Sequence, residues 1–209
     1  MKVYDLTRLI TMDMPVWPGT PKPVMSEGCS IERDGFKETR FEIFSHVGTH
    51  MDAPGHMIAG APTLDELPVN TFWGSAWVLD ASRLGAGELI TPELLDGFPG
   101  ADFLLVSTGW ELFWNKVEYF GDFPLLAPET IDRALGLGVR GIGLDTMSVD
   151  AMDSADFPNH MRMFSRGAVV IENLCNLAPI RGMKVRFAAL PVKYINSDGS
   201  PVRAVAEVE

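Results

Sequence analysis

The chain has 209 residues, 46% hydrophobic and 22% charged; this is the balance of a folded protein long enough to bury a sizeable core, and it excludes disorder as the native condition. A formal net charge of −11 repels phosphate backbones and anionic lipid, which argues against nucleic acid and a membrane surface as partners. No apolar run approaches the ~18 residues of a membrane span, and MKVYDLTRLI carries Asp5 and Arg8 where a secretion signal needs an unbroken apolar stretch.

From the N-terminus, the apolar pattern switches between short strand-like and short helical runs, as in an α/β domain. Strands are expected at 2–6, 38–44, 76–80, 103–107, 141–144, 168–172, 184–190 and 202–208. Helix starts are clearest at TPELL and APETIDRALGLG, where Pro92 and Pro128 take a favourable first helical position and Gly136 and Gly138 end the second helix. NSDGS before Pro201 is a turn that makes the last two strands a hairpin. No repeat or linker divides the chain, so residues 1–209 are expected to form a single domain around a mixed sheet. Cys29 and Cys175 share no metal spacing and are expected as free thiols in a reducing, cytoplasmic setting.

Three of the chain's four histidines fall in SHVGTHMDAPGH. On a helix, His46 and His50 would share a face, as in the HExxH zinc proteases. Gly48 between them, the lack of a following glutamate and the Pro54-Gly55 break oppose that. The segment reads instead as a strand that ends near His46 and runs into an irregular loop, which can wrap side chains around one point. Imidazole and carboxylate donors together suit zinc, manganese or iron(II), with His46, His50 and Asp52 as a plausible shell. The competing reading is a polar loop with no ligand.

Taken alone, His160 in DFPNHMRMFSRG is a hydrogen-bonded or solvated residue on a short helix. Glu172 ends the apolar run GAVVIEN; it is either solvated where the strand stops or, if buried, paired or metal-bound.

These separate residues match one pattern. HVGTHMDAPGH resembles the HxGTHxDxPxH signature of the cyclase family of metal-dependent hydrolases, which includes bacterial kynurenine formamidase and isatin hydrolase. MPVWPGTPKP resembles that family's W-P-G segment, GIGLDTMSVD its G-x-D-x-x-S-x-D stretch, and NHMRMFSRGAVVIENL its later His and Glu. The resemblance implies a barrel-like mixed β-sheet core flanked by short helices, the family's swivelling β/β/α fold. It implies that His46, His50 and Asp52 hold a first divalent metal. Asp52 would bridge to a second held by His160, and Glu172 would touch both. Zn2+ is the expected ion, with Mn2+ the alternative, at one or two per subunit. It further implies His56 as the proton donor and acceptor and Trp17 as a substrate contact.

The function implied is hydrolysis of an amide C–N bond in a small molecule, arylformamidase-like, from N-formylkynurenine to kynurenine and formate. Hydrolysis of an isatin-like lactam, or a cyclisation or dehydration, is the alternative within the family. A metal-binding protein without turnover is the alternative of another class, and it gives no reason for His56 or Trp17. A homo-oligomer, dimer or tetramer, is implied as well. The residue pattern leaves the aromatic stretch 109–123 as either pocket or subunit interface. Trp73, Trp77, Trp110 and Trp114 are assigned to core or interface. Asp145, Asp150, Asp153 and Asp156 lack calcium-loop spacing and read as a turn with solvated carboxylates.

Overall fold

The computed structural model describes residues 1–208. In chain order its strands are β1 (Lys2–Asp5), β2 (Val24–Cys29), β3 (Glu38–Glu42), β4 (His50–Asp52), β5 (Trp73–Asp80), β6 (Leu89–Ile90), β7 (Phe103–Ser107), β8 (Leu125–Leu126), β9 (Gly141–Leu144), β10 (Val169–Glu172), β11 (Lys184–Pro191) and β12 (Gly199–Val208). The α-helices are short: α1 (Ile31–Asp34), α2 (Pro128–Gly136) and α3 (Pro158–Phe164).

The architecture follows from strands that are apolar on both faces. In FLLVS of β7 all five residues are buried. Phe103 and Leu105 face one core, Leu104 and Val106 another. Side chains alternate along a strand, so such a run must be covered on both sides. β7 accordingly lies in the parallel set β5, β7, β9 and β10. Antiparallel pairing carries the sheet onward from β5 to β11 and β12, and from β10 to β4. β4 then pairs with β12, closing seven strands into a mixed barrel, with β1 attached outside the ring on β12.

One core fills the barrel, with Met51, Phe103, Leu105, Ile171 and Phe187. The other lies between the barrel wall and the helices and includes Val106, Ile142, Val170, Ile131 of α2 and Met163 of α3. β9 needs its glycines: a Cβ on Gly141 would come within 2.9 Å of the Phe103 ring and of Val169.

Several expectations shift. The strand before the histidines stops at Glu42, and His50–Asp52 is not irregular loop but a short strand, because closing the ring demands a partner between β10 and β12. TPELL makes only one 3-10 turn, Pro92–Leu95. The terminal hairpin is present as β11 and β12, and His160 does lie on a short helix. β2 and β3 form a separate two-stranded arm with almost no burial. Among the described residues no helix is long and apolar enough to cross a membrane.

The aromatic stretch 109–123 folds into a small core of its own. Tyr119 and Phe123 are buried there, and Trp17, Trp110 and Trp114 pack against it. Trp77 is partly buried on the outer core, while Trp73 is half exposed.

Candidate metal centre and active site

Register brings the first donors together. β4 pairs with β10 so that His50 lies opposite Glu172, and with β12 so that Asp52 lies opposite Gly199. His50 and Asp52 are two apart and share a face, while Met51 between them enters the barrel core. His160 reaches the same face from α3. Gly48, at φ 61°, turns the chain between His46 and His50. His46 lies against Gly199, where a side-chain carbon would collide with its ring. A 3-10 turn at Pro54–His56 follows β4 and holds His56 over His46, ring centroids 3.9 Å apart.

The donors converge tightly. His50 Nε2 is 3.3 Å from Asp52 Oδ1 and 3.4 Å from Glu172 Oε2. His160 Nε2 is 3.3 Å from Glu172 Oε1 and 3.7 Å from Asp52 Oδ2. His46 Nδ1 is 2.6 Å from Asp52 Oδ1. Ligand atoms of His46, His50 and Asp52 lie within 4.8 Å of one another, as do those of Asp52, His160 and Glu172. Asp52 belongs to both groups.

Outer partners fix the rings. His50 Nδ1 lies 2.9 Å from the Gly48 carbonyl, and His160 Nδ1 lies 2.7 Å from Asp150 Oδ2. Each Nδ1 therefore carries its proton outward, leaving the Nε2 lone pair to face the carboxylates. Val149 N–H donates to Glu172 Oε1 at 3.1 Å. Asn173, next to Glu172, is held by the Tyr119 hydroxyl, which donates to its Oδ1 at 2.8 Å; the aromatic core thus props the floor of the site.

Electrostatics sorts the four histidines. Burial pulls His46 down, but Asp52 and Asp198 outweigh it and lift it to about 10. Burial likewise opposes charge on His50 and His160. Asp52 and Glu172 raise the first, and Asp150, Asp52 and Glu172 raise the second. Burial alone would raise Asp52 and Glu172, yet His50 and His46 draw Asp52 down and His160 and His50 draw Glu172 down. Buried acids thus crowd around imidazoles that they drive towards the cationic form. A divalent cation among the same atoms supplies that positive charge with the rings neutral, so the donor set fits one. His56 differs. Burial and the neighbouring His46 push it below its ordinary value, against Asp52 and Asp198.

Each residue to which the resemblance gave a metal, proton-transfer or substrate role borders one pocket of about 570 Å³: Trp17, His46, His50, Asp52, His56, His160 and Glu172. Glu172 is only 6% exposed, so the solvated reading fails. The solvated reading fails also for Asp145 and Asp150, both buried. Asp150 holds His160, and Asp145 accepts from the N–H groups of Thr108 and Gly109 at 3.0 and 2.8 Å. Sequence reasoning missed Asp198 altogether. Its Oδ2 is 3.0 Å from His46 Nε2 and 3.6 Å from His56 Nδ1. The one signal for it was the NSDGS turn.

Residues 4–151 match the sequence model of a family described as putative cyclase. Kynurenine formamidase of Bordetella avium (strain 197N) is 33% identical, over 98% of this chain and 97% of its own. The kynurenine formamidase of Geobacillus thermodenitrificans (strain NG80-2) is 31% identical, over 96% and 94%. Isatin hydrolase A from Labrenzia aggregata, solved bound to benzyl benzoate, superposes with a TM-score of 0.87 at 26% identity, over 98% of this chain and 93% of that one. An isatin hydrolase bound to the product analogue thioisatinate gives 0.89 at 23% identity, over 99% and 92%, and shares the fold.

Proposed function

The chain belongs to the putative cyclase family, and we propose that within it this metal-dependent amide hydrolase acts on aryl formamides, with N-formylkynurenine as the leading substrate and kynurenine and formate as products. One observation carries the reading: the Nε2 atoms of His50 and His160 both turn to the Asp52–Glu172 pair, beside a pocket walled by Trp17.

In this reading His46, His50 and Asp52 hold one divalent ion, and Asp52, His160 and Glu172 hold a second where two bind. Zn2+ is our assignment, since imidazole nitrogen and carboxylate oxygen donors together would suit it, with Mn2+ as the competitor. A bound ion of this kind acidifies water towards neutral pKa and polarises a carbonyl oxygen. The protein does the rest. Trp17, between Pro15 and Pro18, presents a rigid indole face against which a flat aryl ring stacks. His56 Nδ1 faces Asp198, which leaves Nε2 to exchange protons. Its lowered pKa keeps it neutral at pH 7, ready to take a proton from water and pass it to the departing aryl nitrogen.

The fold shared with isatin hydrolase A favours a second reading, opening of a lactam ring. A panel of aryl formamides, lactams and aryl esters, run on protein whose metal content is measured in parallel, separates the two. Formamide turnover that tracks metal supports the first reading, and lactam turnover alone replaces it. We also place the protein in the cytoplasm as a homo-oligomer. The exposed arm supports association: Val24, Phe36 and Phe41 on it are 57%, 55% and 60% exposed.

A further inference from the structure

Beside the histidine–carboxylate cluster, the pocket has a lining of different chemistry. It comprises Trp17, Phe157, Met57, Met147 and Met161, with Asp156 among the lining residues. No lysine or arginine lines the pocket. Asp52 and Glu172 are occupied with the site's imidazoles, whereas Asp156 is exposed and takes part in no ion pair among the described residues. It is the pocket's uncommitted charge.

The backbone beside it is unusual. Phe157, the residue before Pro158, has φ 45° and ψ 55°. Bulky side chains seldom adopt this left-handed region, and where they do the strain is commonly tied to function. The conformation sets the Phe157 ring between Trp17 and His160, with centroids 6.1 Å from each. The Trp17 and Phe157 rings meet at 56° and form a corner rather than a parallel slot.

We propose that Asp156 and Phe157 set the substrate class: the Trp17–Phe157 corner seats the aryl ring, and Asp156 selects substrates whose ring substituent is neutral or cationic over those bearing an uncompensated carboxylate. This rests on the aryl formamide reading. An ammonium group near Asp156 gains an ion pair, while a carboxylate there meets a like charge and finds no lysine or arginine in the pocket to offset it. The α-amino group of an amino-acid substituent would be the end that turns towards Asp156.

The test uses the metal-loaded full chain and three formanilides with the same ring, carrying ethyl, aminoethyl or carboxyethyl. The expected kcat/KM is about 3- to 10-fold higher for the cationic than for the anionic compound, the combined scale of one exposed ion pair gained and one like-charge contact avoided, and the ratio shrinks in 0.5 M salt. Asp156→Asn should bring the two to within about twofold. Phe157→Leu should raise KM for all three and leave their ratio alone. A preference for the anionic compound, or a ratio unchanged by Asp156→Asn, overturns the proposal. If no formanilide is hydrolysed, the formamidase reading falls. Calorimetric titration of the same three compounds then still decides this one: tighter binding of the cationic compound, lost in Asp156→Asn, upholds it, and equal or tighter binding of the anionic compound overturns it.

Discussion

Asp150 grips His160 twice. Its Oδ2 accepts from the His160 backbone N–H at 3.0 Å and lies 2.7 Å from the ring Nδ1. Its Oδ1 accepts from the Asn159 N–H at 2.8 Å, so one buried carboxylate fixes both the start of α3 and the direction of the imidazole on it. Removing such an outer partner typically costs 10- to 100-fold in metal affinity. Asp150→Ala should therefore weaken the ion at His160 by roughly that factor while the chain stays folded. Competition with a chromogenic chelator reads this, and unchanged affinity would show that Asp150 serves only the helix.

His56 and Asp52 should part company under mutation. Asp52→Ala removes the carboxylate common to both donor groups, so metal content and activity should fall together. His56→Ala should keep its metal and lose about 10²- to 10⁴-fold in kcat, the usual worth of a positioned acid–base group. Elemental analysis beside turnover separates the two roles. Metal lost from His56→Ala would make His56 a ligand together with His46 and Asp198, since ligand atoms of these three also lie within 4.8 Å of one another.

How much of this was legible beforehand depended on distance along the chain. His46, His50, Asp52 and His56 lie within eleven residues, and their pattern survives without a fold around it. His160 gave no local sign and Glu172 only an ambiguous one, a carboxylate closing an apolar run; the resemblance alone tied them to the signature, because α3 and the end of β10 meet β4 through the fold. Asp198 is 152 residues from His46. It arrives through the β4–β12 pairing that closes the barrel, and barrel closure has no local pattern to read. The buried strands β7, β9 and β10 were visible as apolar runs. The three-residue β4 was not, since its strand state comes from its two partners rather than from its own residues.

The exposed arm of β2 and β3 gives a test of assembly. Light scattering at micromolar concentration should find a multiple of the 22.9 kDa chain. Replacing Phe36 and Phe41 together by Asp should shift the particle towards a single chain, because charge on an apolar contact opposes its burial. A wild-type particle of one chain mass would remove the oligomer from the description.

Asp145 should leave a mark on stability against pH. Burial raises its pKa to about 6, against hydrogen bonds from Thr108 and Gly109 that favour the charged form. The folded-state value lies above the unfolded one, so this group's stabilising contribution is complete below pH ~4 and is lost as pH rises through 6, a change on the order of 3 kcal/mol. Asp145→Asn cannot ionise. The melting temperature of the variant relative to wild type should therefore improve between pH 4.5 and pH 7.5, whatever the offset from altered hydrogen bonds. A difference independent of pH would mean that Asp145 titrates near its ordinary value in the fold.

Phe157 offers a comparison that isolates its backbone. Both Phe157→Ala and Phe157→Gly remove the ring from between Trp17 and His160, so both lose the same aromatic contacts. They differ in the Cβ. At φ 45° an alanine keeps the clash between Cβ and the backbone that makes the left-handed region costly, about 1–2 kcal/mol per residue, whereas glycine has no Cβ to clash. Glycine's greater freedom in the unfolded chain works the other way, by about 0.4–1 kcal/mol. The strain term is the larger, so the glycine variant should be the more stable of the two by up to about 1 kcal/mol in chemical denaturation. Alanine equal to or more stable than glycine would mean that the loop relaxes once the ring is gone. In that case the left-handed turn at Phe157 is held by the ring itself, and not by Pro158 and the anchored first turn of α3.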